Sequence, residues 1–205
     1  ASDVYKRQSL YNAIWISRKF ANMYLCQNGL PITYGGKTNP QFKGYMKIDD
    51  EFQDRDNRMR YTMMRPHDNF WNNQKPRTSW DGKDKNPYIS NFVPKTGTGY
   101  HNQKWATERK VEDKKEGYDF PIIRYAEVLL NYAEAVYERD DKISNTDLNI
   151  SLNLVRLRVN PAMTPLTNEL ITQNAGMDMR TEIRRERTIE PVSYTHLRAH
   201  ETELH

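Results

Sequence analysis

The strongest structural signal in the chain is the run Ile122 to Glu138, IIRYAEVLLNYAEAVYE. Its polar residues Arg124, Glu127, Asn131 and Glu134 step by 3, 4 and 3 and trace one stripe of a helix. The remaining positions are apolar or aromatic nearly all round, which predicts a largely buried helix. Asp119-Phe120-Pro121 ahead of it offers a cap followed by a proline at a first-turn position. Asp140-Asp141-Lys142 predicts its end, and Asn145-Thr146-Asp147 opens a second helix to about Val159 that buries Leu148, Leu152 and Val155. Asn160-Pro161 closes that one. The short connection between the two predicts an antiparallel α-hairpin. A turn of helix is expected at Asn168 to Gln173, and a charged helix at Asp178 to Glu190, where Glu182, Glu186 and Glu190 alternate with Arg180, Arg184, Arg185 and Arg187. Local pairs such as Glu182–Arg185 fit that pattern.

The part before this helical region is of a different kind. Ser9 to Ile16 is aromatic and β-branched, as a short strand or extended entry would be. Ser17 suits the cap of a helix through Leu25, with Phe20, Met23 and Tyr24 on one face. Asn28-Gly29 stops it and Pro31 prevents a restart. From Thr33 to about Asp119 no helical period is sustained, and Asn, Lys, Asp, Gly and Pro dominate. Aromatics in this stretch, among them Phe70, Trp71, Trp80, Tyr88, Phe92, Tyr100 and Trp105, argue for an ordered loop layer with short strands or turns of helix.

Both ends of the chain look foreign to it. Asp3-Val4-Tyr5-Lys6-Arg7-Gln8 can be written GAT GTG TAT AAG AGA CAG, and Val192-Ser193-Tyr194-Thr195-His196 can be written GTC TCT TAT ACA CAT. The second string is the reverse complement of a stretch inside the first. Two ends encoded by opposite strands of one short DNA resemble translated transposase adaptor from a sequencing library, and Leu197 to Thr202 continues the pattern. Residues 1–8 and 191–205 are therefore set aside as tails and residues 9–190 are read as the natural part. No stop signal follows Glu190, so the last helix reads as truncated. His196 and His200, at i,i+4 beside Glu201, have metal-ligand spacing but fall in the tail.

Composition narrows the chemistry. The chain has 205 residues, 31 Lys+Arg against 27 Asp+Glu and a net charge of +4; without the tails 28 face 24 and the charge is unchanged. Acidic and basic residues are too interleaved for a nucleic-acid surface. One cysteine, Cys26, excludes a disulfide scaffold and multi-cysteine zinc sites. No stretch approaches the length of a membrane helix, and the first residues do not show the positive-then-apolar pattern of a signal peptide. The cluster Asp49, Asp50, Glu51, Asp54 and Asp56 could supply a glycosidase carboxylate pair. A calcium loop from Asp54 would lack its glycine at position six and its glutamate at position twelve. Arg55, Arg58 and Arg60 among those acids favour mutual pairing, and His67, His101 and Gly97-Thr98-Gly99 read as structural. No catalytic set, metal site or cofactor motif emerges. Flat rings on a rigid loop layer, next to amides, suit sugar faces and hydroxyls. Trp71 with Phe70, Asn72 and Asn73, and Trp80, are the candidate glycan contacts; the competing role of each ring is packing.

Taken in order, several segments resemble the SusD/RagB family of outer-membrane nutrient-binding lipoproteins. Phe120 to Ala135 is similar to its signature helix. Asn28-Gly29-Leu30-Pro31-Ile32 and Asp54-Arg55-Asp56-Asn57-Arg58-Met59 resemble its earlier turn and its acidic-arginine motif. Gly99-Tyr100 with Lys104-Trp105, Leu154-Val155-Arg156-Leu157-Arg158 and Ile183-Arg184-Arg185-Glu186-Arg187 resemble segments around the signature helix and after it. The resemblance implies a mainly α, tetratricopeptide-like scaffold with a loop layer, of which residues 9–190 are an incomplete, central to C-terminal part: a loop-rich ligand side over 17–119 and a helical region over 120–190. It implies structural roles for Arg124, Glu127, Asn131, Glu134, Arg156, Arg158, Arg184, Glu186 and Arg187. It also implies non-catalytic oligosaccharide binding at the cell surface, a SusC-like TonB-dependent transporter as partner, and an N-terminal lipid anchor as the only tie to the membrane. The alternatives are a glycoside hydrolase acting through Asp49 to Asp56 and a helical protein-interaction module.

Overall fold

The computed structural model describes residues 15–47, 49–63, 100–101 and 123–190, and these group into two compact units. The tails, most of the loop aromatics and Asp119 to Ile122 lie outside the described residues.

In the first unit, β1 (Trp15–Ile16) pairs antiparallel with β4 (Tyr100–His101), Ile16 opposite Tyr100. Ser17 caps α1 (Arg18–Ala21), its Oγ accepting from the Phe20 N–H at 3.1 Å. The helix stops at Ala21 instead of reaching Leu25. The Ala21 carbonyl, which a longer helix would turn to the N–H of Leu25, accepts from Arg55 Nη2 at 3.0 Å. A 3₁₀ turn at Asp50–Phe52 leads to α2 (Asn57–Thr62), capped by Asp56, whose carboxylate accepts from the Arg58 N–H. Ile16, Ala21, Phe52, Met59, Met63 and Tyr100 are buried here.

The second unit joins residues 23–41 to the helical region. β2 (Thr33–Tyr34) and β3 (Lys37–Thr38) form a hairpin around Gly35-Gly36, both at positive φ as a type I′ turn needs. The turn abuts the backbone at Gly176, where a Cβ would lie 2.5 Å from the Gly35 nitrogen, so only glycine fits. Asn28 and Asn39 hydrogen-bond to each other at 3.0 Å, and Asn39 also donates to the Pro31 carbonyl, fixing the loop ahead of the hairpin.

The helical region runs α3 (Tyr125–Asp140), α4 (Asn145–Ile150), α5 (Leu152–Val159), α6 (Asn168–Gln173) and α7 (Met179–Ile189). α3 packs on α4, α5 and α7, so the antiparallel hairpin is present. α3 begins three residues later than Ile122. Its N-cap is Arg124, in extended conformation with no side-chain capping bond, and the expected cap at Asp119 lies outside the described residues. Its end is set by Asp141 in the left-handed region. Nor is α3 largely buried: only Ala126, Leu130 and Ala133 are, while Tyr125, Val128 and Tyr132 are exposed. The second helix is broken in two at Ser151, whose Oγ donates to the Asp147 carbonyl; such a back-bond takes a carbonyl from the ladder and bends the helix. Leu148, Leu152 and Val155 are buried, in a core with Leu130, Ala133, Ile143, Leu166 and Ile183. Past α5 the chain is pinned by buried Asn153, which accepts from the Leu166 N–H at 2.8 Å and donates to its carbonyl at 2.9 Å. α6 and α7 sit where the sequence puts them, capped by Thr167 and Asp178. No helix among the described residues is long and apolar enough to cross a membrane.

Candidate functional site

Of the residues expected to contact a ligand, Phe70, Trp71, Asn72, Asn73 and Trp80 all lie outside the described residues. Asp49, Asp50, Glu51, Asp54 and Asp56 are all described, and local partners take up most of these carboxylates. Asp50 accepts from the Lys47 N–H at 2.9 Å, Asp54 pairs with Lys43 at 3.3 Å, and Asp56 caps α2 while pairing with Arg58 at 2.6 Å. Of the pairing expected with the interleaved arginines, Asp56–Arg58 is present, whereas Arg55 donates to the Glu51 and Ala21 carbonyls. Among the described residues no group of three or more histidine, cysteine, aspartate or glutamate side chains could hold a metal ion.

Glu51 differs from its neighbours. It is buried under the β1–β4 ladder and accepts from the Tyr100 hydroxyl at 2.7 Å. Burial, then the charge and hydrogen bond of Glu51, push the Tyr100 phenol well above its ordinary range. Arg18 hydrogen-bonds to Tyr100, which raises the Arg18 guanidinium further. Tyr100 is therefore a neutral donor clamped between a carboxylate and a guanidinium, a structural anchor and not a proton carrier near neutral pH.

A cluster of rings and guanidinium groups adjoins it. Arg18 lies over the Tyr45 ring at 4.7 Å, Arg55 over Phe42 at 5.4 Å, and the two rings meet edge to face at 5.1 Å. The Tyr45 hydroxyl donates to Asn22 Oδ1 at 2.7 Å. Tyr45 keeps part of its ring in solvent. Sequence reasoning missed this cluster: Arg18, Asn22, Phe42 and Tyr45 are dispersed in the chain and carry no motif.

The residues given structural roles are brought together in the second unit, mostly as ion pairs that clasp α7. Glu190 accepts from Arg124 at 3.0 Å and from Arg158 at 2.9 Å, Glu186 from Arg156 at 2.8 Å, and Glu138 from Arg184 at 3.1 Å. Arg187 pairs with Glu134. Among the described residues Glu127, half-buried, and Asn131, exposed, do not join this ladder. The expected Glu182–Arg185 pair forms at 3.1 Å, and Arg185 also donates to the Met23 carbonyl. α7 is not a solvated helix, however: Glu182 and Glu186 are buried with Met179, Ile183 and Ile189. Burial raises the Glu182 carboxyl above its ordinary value, against the lowering pull of Arg185.

The fold is similar to that of known proteins. A SusD-like carbohydrate binding protein from Bacteroides fragilis NCTC 9343 superposes with a TM-score of 0.55 at 26% identity, over 85% of this chain and 32% of its own. A second SusD-like protein from that organism gives a TM-score of 0.52 at 22% identity, with the same coverage. The chain thus spans about a third of the length of either structure. No curated protein matches it. The sequence model of the SusD family matches residues 2–191, and the chain belongs to the SusD family.

Proposed function

We propose that the chain is part of a non-catalytic glycan-binding protein of the cell surface, which passes oligosaccharide to a TonB-dependent outer-membrane transporter. The supporting observation is membership of the SusD family, together with 26% identity to a SusD-like carbohydrate binding protein. In this reading a lipid anchor holds the parent protein to the outer membrane, and Trp71 and Trp80, with Phe70, Asn72 and Asn73, form the sugar platform. Indole faces stack on sugar C–H groups while the neighbouring amides serve hydroxyls. Acid–base hydrolysis through Asp49 to Asp56 has less support, because Asp50, Asp54 and Asp56 already have local partners.

Calorimetric titration with a panel of oligosaccharides tests the reading. Loss of one stacking ring is expected to weaken binding about fivefold or more, by analogy with base–aromatic stacking, which contributes on the order of 1–3 kcal/mol. Unchanged affinity in both Trp71→Ala and Trp80→Ala would remove the site assignment. Absence of binding to every glycan would remove the function. Reducing-sugar release that Asp54→Asn abolishes would establish the hydrolase instead.

A further inference from the structure

Arg18 and Tyr45 of the first unit are both exposed, yet each is held in place. The Arg18 guanidinium lies over the Tyr45 ring at 4.7 Å and hydrogen-bonds to Tyr100, which buried Glu51 anchors in turn. Tyr45 is fixed by its hydroxyl, which donates to Asn22 Oδ1 at 2.7 Å, and by Phe42, edge to face at 5.1 Å. A long exposed side chain ordinarily loses rotamer freedom when it takes a ligand; here contacts within the unit have already ordered it. The polar groups left open are mostly of one kind. A guanidinium carries donors and no acceptor, and the ring and the Tyr100 hydroxyl leave part of that fork uncommitted. Asn22 spends its Oδ1 on Tyr45, and its Nδ2 has no partner among the described residues. Lys19, next to Arg18, is exposed and in no ion pair among the described residues. The carboxylates that would oppose these donors are engaged: Glu51 is buried on Tyr100, Asp50 takes the Lys47 N–H, and Asp54 takes Lys43.

We propose that Arg18, Asn22 and Tyr45 bind the acidic group of a sugar, a uronic acid carboxylate or a sulfate ester, so that the protein selects acidic oligosaccharides. The inference rests on the glycan-binding reading and adds to it a ligand class and a contact beyond Trp71 and Trp80. Sugar hydroxyls need acceptors as well as donors, whereas a carboxylate or sulfate is all acceptor and matches the planar fork of an arginine. Arg18 takes the charge, Asn22 Nδ2 donates to an oxygen beside it, and the Tyr45 oxygen keeps a lone pair for one neighbouring hydroxyl. A nucleic-acid backbone would demand a longer row of cations than Arg18 and Lys19 offer.

Calorimetric titration of the 205-residue chain tests this with oligogalacturonate, oligoalginate, sulfated galactan oligosaccharides, and neutral starch, β-glucan and galactan oligosaccharides. The tightest ligand is expected to be acidic. Methyl esterification that abolishes binding of a uronate assigns the carboxylate, and preference for the sulfated galactan assigns the sulfate. Asn22→Asp still accepts from Tyr45, so the clamp stays, but a carboxylate replaces the donor; it is expected to weaken the acidic ligand about tenfold or more. Arg18→Lys keeps the charge and loses the fork, with an expected loss of about fivefold or more, and it carries the test if Asn22→Asp does not fold. Lys37→Gln, in the exposed β2–β3 hairpin of the second unit, removes the same one unit of net charge and is expected to change affinity less than about twofold. An equal loss in Lys37→Gln would show an effect of net charge alone and overturn the proposal, as would an acidic ligand that both site variants bind unchanged. A neutral oligosaccharide as the tightest ligand would overturn it too, while the glycan-binding reading stands. Binding of no oligosaccharide at all would remove that reading and this inference together.

Discussion

Arg156 shows how one residue ties the helical unit together. Its side chain is fully buried, Nε donates to Glu186 at 2.8 Å, and the field of the same guanidinium reaches Glu182. Removing one member of such a pair strands the other charge in a low-dielectric interior, which costs far more than the pair itself contributes. Arg156→Ala is therefore expected to destabilise the chain by about 3–5 kcal/mol in urea unfolding. The double variant Arg156→Met/Glu186→Leu should recover most of that loss, because it removes both charges and keeps the volume. A double variant no more stable than Arg156→Ala would show that Arg156 acts by packing and not by charge. The sequence marks Arg156 and Glu186 as notable but not as partners: 30 positions separate them, and only the packing of α5 on α7 closes that gap.

Among the elements, those with a local cap were legible from sequence and those set by distant contacts were not. α6 and α7 start where the sequence places them, and there the Thr167 and Asp178 side chains each accept from the N–H three residues on. The shortening of α1 depends on Arg55, 34 positions away, and the break at Ser151 on a hydroxyl that periodicity does not see. The exposed face of α3 misled because apolar content alone does not predict burial: Ala126, Leu130 and Ala133 are buried while Tyr125, Val128 and Tyr132 are exposed. Asp178 gives a test at this scale. Hydrogen bonds from the Thr181 hydroxyl and N–H hold its carboxyl below the ordinary 3.8. A carboxylate with a lowered folded pKa contributes stability that is present above the unfolded value and lost as pH falls through the folded one. Asp178→Ala is thus expected to cost about 1 kcal/mol at pH 7. The penalty should shrink on acidification below about pH 4. Urea midpoints of both proteins across that range measure it, and a pH-independent penalty would mean that the cap is not electrostatic.

For the whole molecule, the question is which residues belong to the fold. On the proposal that the two ends are complementary coding, residues 1–8 and 191–205 are tails; the family match stops at residue 191, next to the second of them. At the other end the match begins at residue 2, inside the first tail, so the N-terminal boundary is the more exposed of the two. Charge does not discriminate, since +4 is the net value with the tails or without them. Stability does. Segments that make no buried contacts can be cut without loss, whereas a strand or helix docked on the core cannot. Deleting 191–205 and deleting 1–8 are each expected to leave the helical circular-dichroism signal and the thermal midpoint unchanged. A fall in the midpoint on removing 1–8 alone would make the start of the chain native and leave the resemblance between its two coding strings without meaning.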